Sequence, residues 1–273
     1  MMEIGIMQGR LSDKPEMPLQ SFPIKMWRDE FARAEKLGFD CIEWLLDGIA
    51  DDINPISSVS GRREIRTVAE QNGVEVKSLC AHCFIDGQLF SDNSSLRLQA
   101  FQKLTYLVEW SKELNIKNLI LPAIDGMSLS NERNRLILIE LLNKIEFENR
   151  INLILETDIS GKELHKLLKI IDNNNIGVLY DVGNANALGM NAEDDITEIN
   201  EYIFEFHLKD RNSTNGVSSR LGENDTPFEG IFSKIKSIKS TPFFVLETPI
   251  FNDWETEARS NLKFAKKWVE TLQ

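Results

Sequence analysis

Two hydrophobic periods alternate along the chain. Short apolar and β-branched runs, apolar on both parities, are separated by longer stretches whose apolar residues recur every three or four positions. The runs that read as strands are EIGIMQ (3–8), DCIEWL (40–45), VEVKSLC (74–80), KNLILP (117–122), NLILE (152–156), IGVLYD (176–181), YIFEFHL (202–208) and PFFVLE (242–247). The stretches that read as helices include MWRDEFARAEKLGF, stopping at Gly38, and GRREIRTVAEQNG, stopping at Gly73. Others run over about 95–114, 129–148, 161–173, 192–200, 228–239 and 254–270. Glycine just past the last periodic residue stops a helix because it enters the left-handed region freely.

Strands buried on both faces and alternating with helices predict a parallel sheet covered by helices. Eight such units in 273 residues match a closed (β/α)8 TIM barrel of the α/β class, one domain over 1–273. An open doubly wound sheet is the alternative, but the chain lacks G-x-G-x-x-G after its first strand and any G-x-x-x-x-G-K-[ST] loop. No Pro-rich or low-complexity linker divides the sequence. The longest irregular stretch, 210–227, follows the seventh strand, and long loops in compact domains are commonly functional.

Composition narrows the partners. Lys and Arg number 31 against 43 Asp and Glu, a net charge of −12 that opposes a grip on phosphate backbones, so no nucleic acid is expected. No apolar run approaches the roughly 18 to 20 residues of a membrane span, and the first residues lack a secretory leader pattern. The expectation is a soluble cytoplasmic protein with no membrane partner. Cys41, Cys80 and Cys83 form a sparse, odd set that fits free thiols in a reducing compartment. CAHC matches C-x-x-C, yet a redox motif would open a helix and a zinc ribbon needs a second pair. Two small apolar side chains at a strand end are expected instead.

In a barrel the reactive groups come from the C-terminal ends of the strands. Strands five to eight end at Glu156, Asp181, His207 and Glu247. Taken singly, a strand-end carboxylate is more often a helix N-cap or an ion pair, and a lone histidine a hydrogen-bonded core residue. Four on consecutive strands are different, because clustering three acids without a cation is costly in desolvation and repulsion. Three carboxylates and an imidazole suit one divalent metal ion, Mn2+, Mg2+, Co2+ or Zn2+.

Other rim positions are candidates for substrate binding. His82 follows strand three and offers a hydrogen bond to a hydroxyl. Lys209 and Arg211 leave strand seven beside His207, where either would bind a substrate oxygen, carboxylate or phosphate. Gln8 and Glu43, near the ends of strands one and two, would contact a polyol, and Glu205 shares the parity of His207 and would orient its imidazole from below. His165, on the polar face of an amphipathic helix, carries no expected function. Trp27, Trp110, Trp254 and Trp268, if exposed, would offer a contact for a homo-oligomer.

The stretches VLETP around Glu247, HLKDR around His207, YDVGNA around Asp181, LILETD around Glu156, and GFDCIEW after the first helix resemble the xylose-isomerase-like barrel superfamily. That superfamily holds sugar epimerases, isomerases and sugar-acid dehydratases, and the resemblance runs along the whole chain. It implies that Glu156, Asp181, His207 and Glu247 hold the metal and that Glu156 and Glu247 double as the acid-base pair. The implied activity is a metal-dependent sugar or sugar-phosphate epimerase or isomerase. A proton next to a carbonyl is abstracted, and a metal bridging the ketone and adjacent hydroxyl supplies Lewis-acid stabilisation of the enediolate. An inosose-type dehydratase using the same site is the alternative, and a non-catalytic polyol-binding barrel a third reading. Asn184 stands where some ketose 3-epimerases carry histidine; it bonds a hydroxyl but cannot transfer a proton. The superfamily also includes abasic-site endonucleases with three zinc ions, against which three histidines and a charge of −12 argue.

Overall fold

The computed structural model describes residues 2–13, 20–49, 51–147, 151–237 and 242–272. Eight parallel strands close into a barrel: β1 (Ile4–Met7), β2 (Cys41–Leu45), β3 (Glu75–Cys80), β4 (Asn118–Ala123), β5 (Asn152–Thr157), β6 (Ile176–Asp181), β7 (Ile203–Leu208) and β8 (Phe243–Leu246). Each pairs with its neighbours in sequence, and β1 closes the ring against β8 through Ile4, Gly5 and Ile6 opposite Phe244, Val245 and Leu246. The outer ring contains α1 (Trp27–Leu37), α2 (Val59–Asn72), α3 (Ser94–Leu114), α4 (Glu132–Leu142), α5 (Gly161–Ile171), α6 (Val182–Ala187), α7 (Ala192–Ile199), α8 (Phe228–Ile235) and α9 (Trp254–Val269).

Local chemistry explains the boundaries. In α5 the buried residues Leu164, Leu167, Leu168 and Ile171 recur on one face, and Ser160 caps the helix by accepting from the Glu163 amide. Gly38 ends α1 at φ +85°, where a side chain would be strained, and its amide returns to the Ala34 and Glu35 carbonyls. α6 had no expected counterpart: VGNANA has no apolar period, and its first turn is started by the Asp181 carboxylate accepting from the Gly183 and Asn184 amides. The segment 129–148 is helical over Glu132–Leu142, and 228–239 over Phe228–Ile235, with 148 and 238–239 outside the described residues.

Strand period two sorts the side chains between two cores. One face packs against the helices in a large cluster that includes Ile4, Ile6, Leu119, Leu155 and Phe206. The other face fills the barrel with Met7, Leu45, Cys80, Ile120, Ile154, Leu179 and Val245. Glu43 lies two residues before Leu45; Glu156, Asp181 and Glu247 lie two after Ile154, Leu179 and Val245, so strand parity turns all four inward. His207 is in register with both Asp181 and Val245 and shares that orientation.

Trp27, a contact for a homo-oligomer only if exposed, is wholly buried: its ring meets Trp44 edge-on at 5.4 Å and Phe31 at 6.3 Å. Trp110, Trp254 and Trp268 are half-buried against the outer core. All three cysteines are free and buried, and burial pushes the Cys83 thiol up to about 12. These are unreactive packing groups.

Ile154→Ala, which opens a gap inside the barrel, is expected to cost about 2–5 kcal/mol in equilibrium urea unfolding. Leu136→Ala, at a position 64% exposed, should change stability by less than about 0.5 kcal/mol in the same assay.

Candidate metal centre and active site

Glu156, Asp181, His207 and Glu247 converge at the C-terminal mouth of the barrel. Each offers a ligand atom, these atoms lie within 4.8 Å of one another, and all four residues are buried. The imidazole sits between two carboxylates: Nδ1 is 2.9 Å from Glu247 Oε2 and Nε2 is 3.0 Å from Glu43 Oε2. Nδ1 is therefore the nitrogen turned toward the other three donors. Burial opposes charge on this ring, but Glu43 and Glu247 outweigh it and hold its pKa well above the ordinary histidine value.

Beneath His207 lies a buried polar tier. Ser78 Oγ is 3.0 Å from both Glu43 Oε2 and Glu205 Oε1, and Asn118 Nδ2 donates to Glu205 Oε2 at 2.9 Å. Burial, and then the charge of Glu43, push the Glu205 carboxyl well up. Glu205 is 3.9 Å from Nε2, and Glu43 stands between it and direct support of the ring. Glu43 thus sits under the imidazole rather than at the polyol-facing rim. Glu43, Glu205 and His207 also lie close enough to share a cation; Asn118 serves Glu205, the single Ser78 hydroxyl proton goes to one of the two acids at a time, and Glu43 Oε1 has no hydrogen-bond partner among the described residues.

Asp181 divides its oxygens. Oδ1 caps α6, at 2.9 and 2.8 Å from the Gly183 and Asn184 amides, while Oδ2 is 2.9 Å from Lys209 Nζ. Lys209 continues the inward parity of β7 and also reaches Glu247 Oε2 at 2.8 Å. Burial works against its ammonium, yet Asp181 and Glu247 overcome this and raise its pKa.

Asn184 and Arg211 form a strut to the other glutamate. Arg211 Nη1 donates to Asn184 Oδ1 at 2.6 Å, and Asn184 Nδ2 donates to Glu156 Oε1 at 2.7 Å. The loop after β7 holds this arginine. Buried Asp210 accepts from the Gly222, Asn224 and Thr226 amides at 2.8, 3.0 and 3.2 Å, and Asp210–Arg211 pairs antiparallel with Ser218–Ser219. Burial, with Asp181 and Glu247 nearby, pushes Glu156 up to about 7. Glu247 moves the other way: burial would raise it, but Lys209 and His207 hold it well below the usual carboxylate range.

Two contributors had no strand-end signal. Arg10 Nη2 donates to Gln20 Oε1 at 2.8 Å and lies 3.8 Å from Glu247 Oε1, and Gln20 Nε2 bonds that same oxygen. Glu30 of α1 fixes the turn carrying Arg10, accepting from the Gly9 amide at 3.0 and 3.1 Å, the Leu11 amide at 3.1 Å and Ser12 Oγ at 2.8 Å. Burial pushes that carboxyl up to about 7 against those donors. Gln8 lies on the opposite parity from Met7, and its Oε1 accepts from the Leu45 amide at 3.0 Å. His82 is partly buried just past β3; burial lowers its pKa while the charge of Glu247 opposes that shift. His165 lies away from the cluster, its Nδ1 3.5 Å from Glu198.

Residues 31–268 match the model of the xylose isomerase-like TIM barrel family. The chain belongs to that family. L-ribulose-5-phosphate 3-epimerase UlaE of Escherichia coli (strain SMS-3-5 / SECEC) is 22% identical over 254 residues, 89% of each chain. Among solved structures, D-psicose 3-epimerase from Clostridium cellulolyticum H10 superposes with a TM-score of 0.74 at 17% identity, over 98% of this chain and 99% of that one. An IOLI protein with a bound zinc atom gives 0.74 at 14% identity, over 100% and 99%. These superpositions establish a common barrel for this family member and those proteins.

Three carboxylates and one imidazole, on β5, β6 and β7 and just after β8, fit a divalent cation in donor type and spacing. Groups that orient a ligating histidine typically matter 10–100-fold, so Glu43→Gln should weaken Mn2+ binding by about that factor in isothermal titration while far-UV circular dichroism is unchanged.

Proposed function

We propose that the protein is a divalent-metal-dependent epimerase or isomerase acting on a ketose or ketose phosphate. The observation that carries this reading is the placement of two glutamates, Glu156 on β5 and Glu247 just after β8, within one four-donor cluster. The name of the Escherichia coli relative, an L-ribulose-5-phosphate 3-epimerase, supports the substrate class. Glu156, Asp181, His207 and Glu247 would hold the ion, which when bound supplies Lewis-acid polarisation of a substrate carbonyl.

The protein's own groups supply the proton transfers. β5 and β8 lie on different sides of the mouth, so the two carboxylates approach a bound sugar from different directions. One removes the proton from the carbon beside the carbonyl, and the other delivers a proton to the opposite face, inverting that centre. Delivery to the neighbouring carbon instead gives aldose-ketose isomerisation. Asn184 Nδ2 donates to Glu156 Oε1, which orients this carboxylate in the mouth. Arg10 and Lys209 flank Glu247 and provide positive charge for substrate oxygens or a phosphate. His82 and Arg211 complete the proposed rim.

Incubation of ketoses, ketose phosphates and inososes with the Mn2+-loaded protein in D2O, read by proton NMR, should show deuterium entering beside the carbonyl. Glu156→Gln and Glu247→Gln should each lose about 10²–10⁴-fold in that exchange. Exchange that survives both substitutions refutes the two-glutamate mechanism, and a conjugated ultraviolet-absorbing product assigns the dehydratase reaction instead.

A further inference from the structure

We infer that Lys209 is a built-in counter-charge of the metal centre, competing with a cation for Asp181 and Glu247 and matching the site to an ion of charge two. The inference rests on the metal-centre reading above and goes beyond it by giving a fifth residue a role in metal affinity and selectivity.

The ammonium is among the donor atoms themselves, 2.9 Å from Asp181 Oδ2 and 2.8 Å from Glu247 Oε2, on a side chain only 12% exposed. Its backbone has little room to withdraw. A Cβ added at Gly183 would lie 2.7 Å from the Lys209 carbonyl oxygen and 2.8 Å from its Cβ, so the first turn of α6 presses on this residue and the glycine makes that contact feasible. Strand parity does the rest, directing the stem inward behind Glu205 and His207.

Charge counting gives the consequence. Glu156, Asp181 and Glu247 bring three negative charges to the cluster, and Lys209, the cation in direct contact with two of them, returns one; Arg10 stands farther out, 3.8 Å from Glu247 Oε1, with the acids Glu30 and Glu43 beside it to offset its charge. A divalent ion neutralises what remains, whereas an ion of charge three is in excess. An ion entering the cluster also competes for the carboxylate oxygens against which the ammonium now lies. Both effects weaken cation binding, and both vanish when the ammonium is removed.

Isothermal titration of the full chain with Mn2+ tests the inference. Lys209→Met should bind Mn2+ about tenfold more tightly than the wild type, since one unit of like charge has left the centre. Tb3+ binding, followed by its luminescence, should tighten by a larger factor, so the Tb3+ to Mn2+ affinity ratio rises. Lys209→Arg keeps the charge and should leave that ratio within about threefold of wild type. Lys209→Gln carries the same expectations as Lys209→Met and replaces it if the methionine variant does not fold. Mn2+ affinity that is unchanged or weaker in a folded, uncharged variant, or a fixed Tb3+ to Mn2+ ratio, overturns the role of Lys209. Failure of the wild type and every variant to bind Mn2+ overturns the metal-centre reading itself.

Discussion

A carboxylate removed from water must meet positive charge or hydrogen-bond donors, or it will take up a proton. The mouth of this barrel is arranged around that requirement. Glu43, Glu156, Asp181, Glu205 and Glu247 are all buried there, and each is served differently. The deeper pair relies on Ser78, Asn118 and the imidazole; the upper three rely on Lys209, Arg10, Asn184 and the amides of α6. His207 joins the two tiers because its nitrogens face in opposite directions. The imidazole is thus a structural junction between them.

The surroundings of the two upper glutamates differ. Glu247 is ringed by His207, Lys209, Gln20 and Arg10, all of which favour its anion. Glu156 meets the neutral amide of Asn184, with Asp181 and Glu247 disfavouring its charge. Two side chains of one type are given unlike environments by what the neighbouring strands and loops bring to them. Unlike environments are what an acid and a base drawn from the same residue type require.

The barrel was readable because parallel strands buried on both faces leave unbroken apolar runs, and amphipathic helices such as α5 leave a clear period between them. Strand-end carboxylates were readable for the same reason: a charge terminating an apolar run is locally conspicuous. Arg10 was not, since its position depends on Glu30, a helix residue 21 positions from Gly9 that only the fold brings beneath the turn. Glu43 was placed at the rim because it sits near a strand end, whereas the relative stagger of β2 and β7 sets it below His207. Whether Trp27 is exposed was not legible, because its burial depends on Trp44 of β2, which only the fold brings against it. The loop at 210–227 looked irregular because the anchor that organises it, Asp210, works through backbone amides that carry no sequence signature.

The divided carboxylate of Asp181 has a wider implication. One oxygen starts a helix and the other faces the cations of the barrel mouth, so the same side chain is answerable to folding and to chemistry. Substitution there would unwind the beginning of α6, slacken the backbone that confines Lys209, and shift Asn184 away from Glu156. Replacement of His82, which lies just past β3, leaves that helix start untouched.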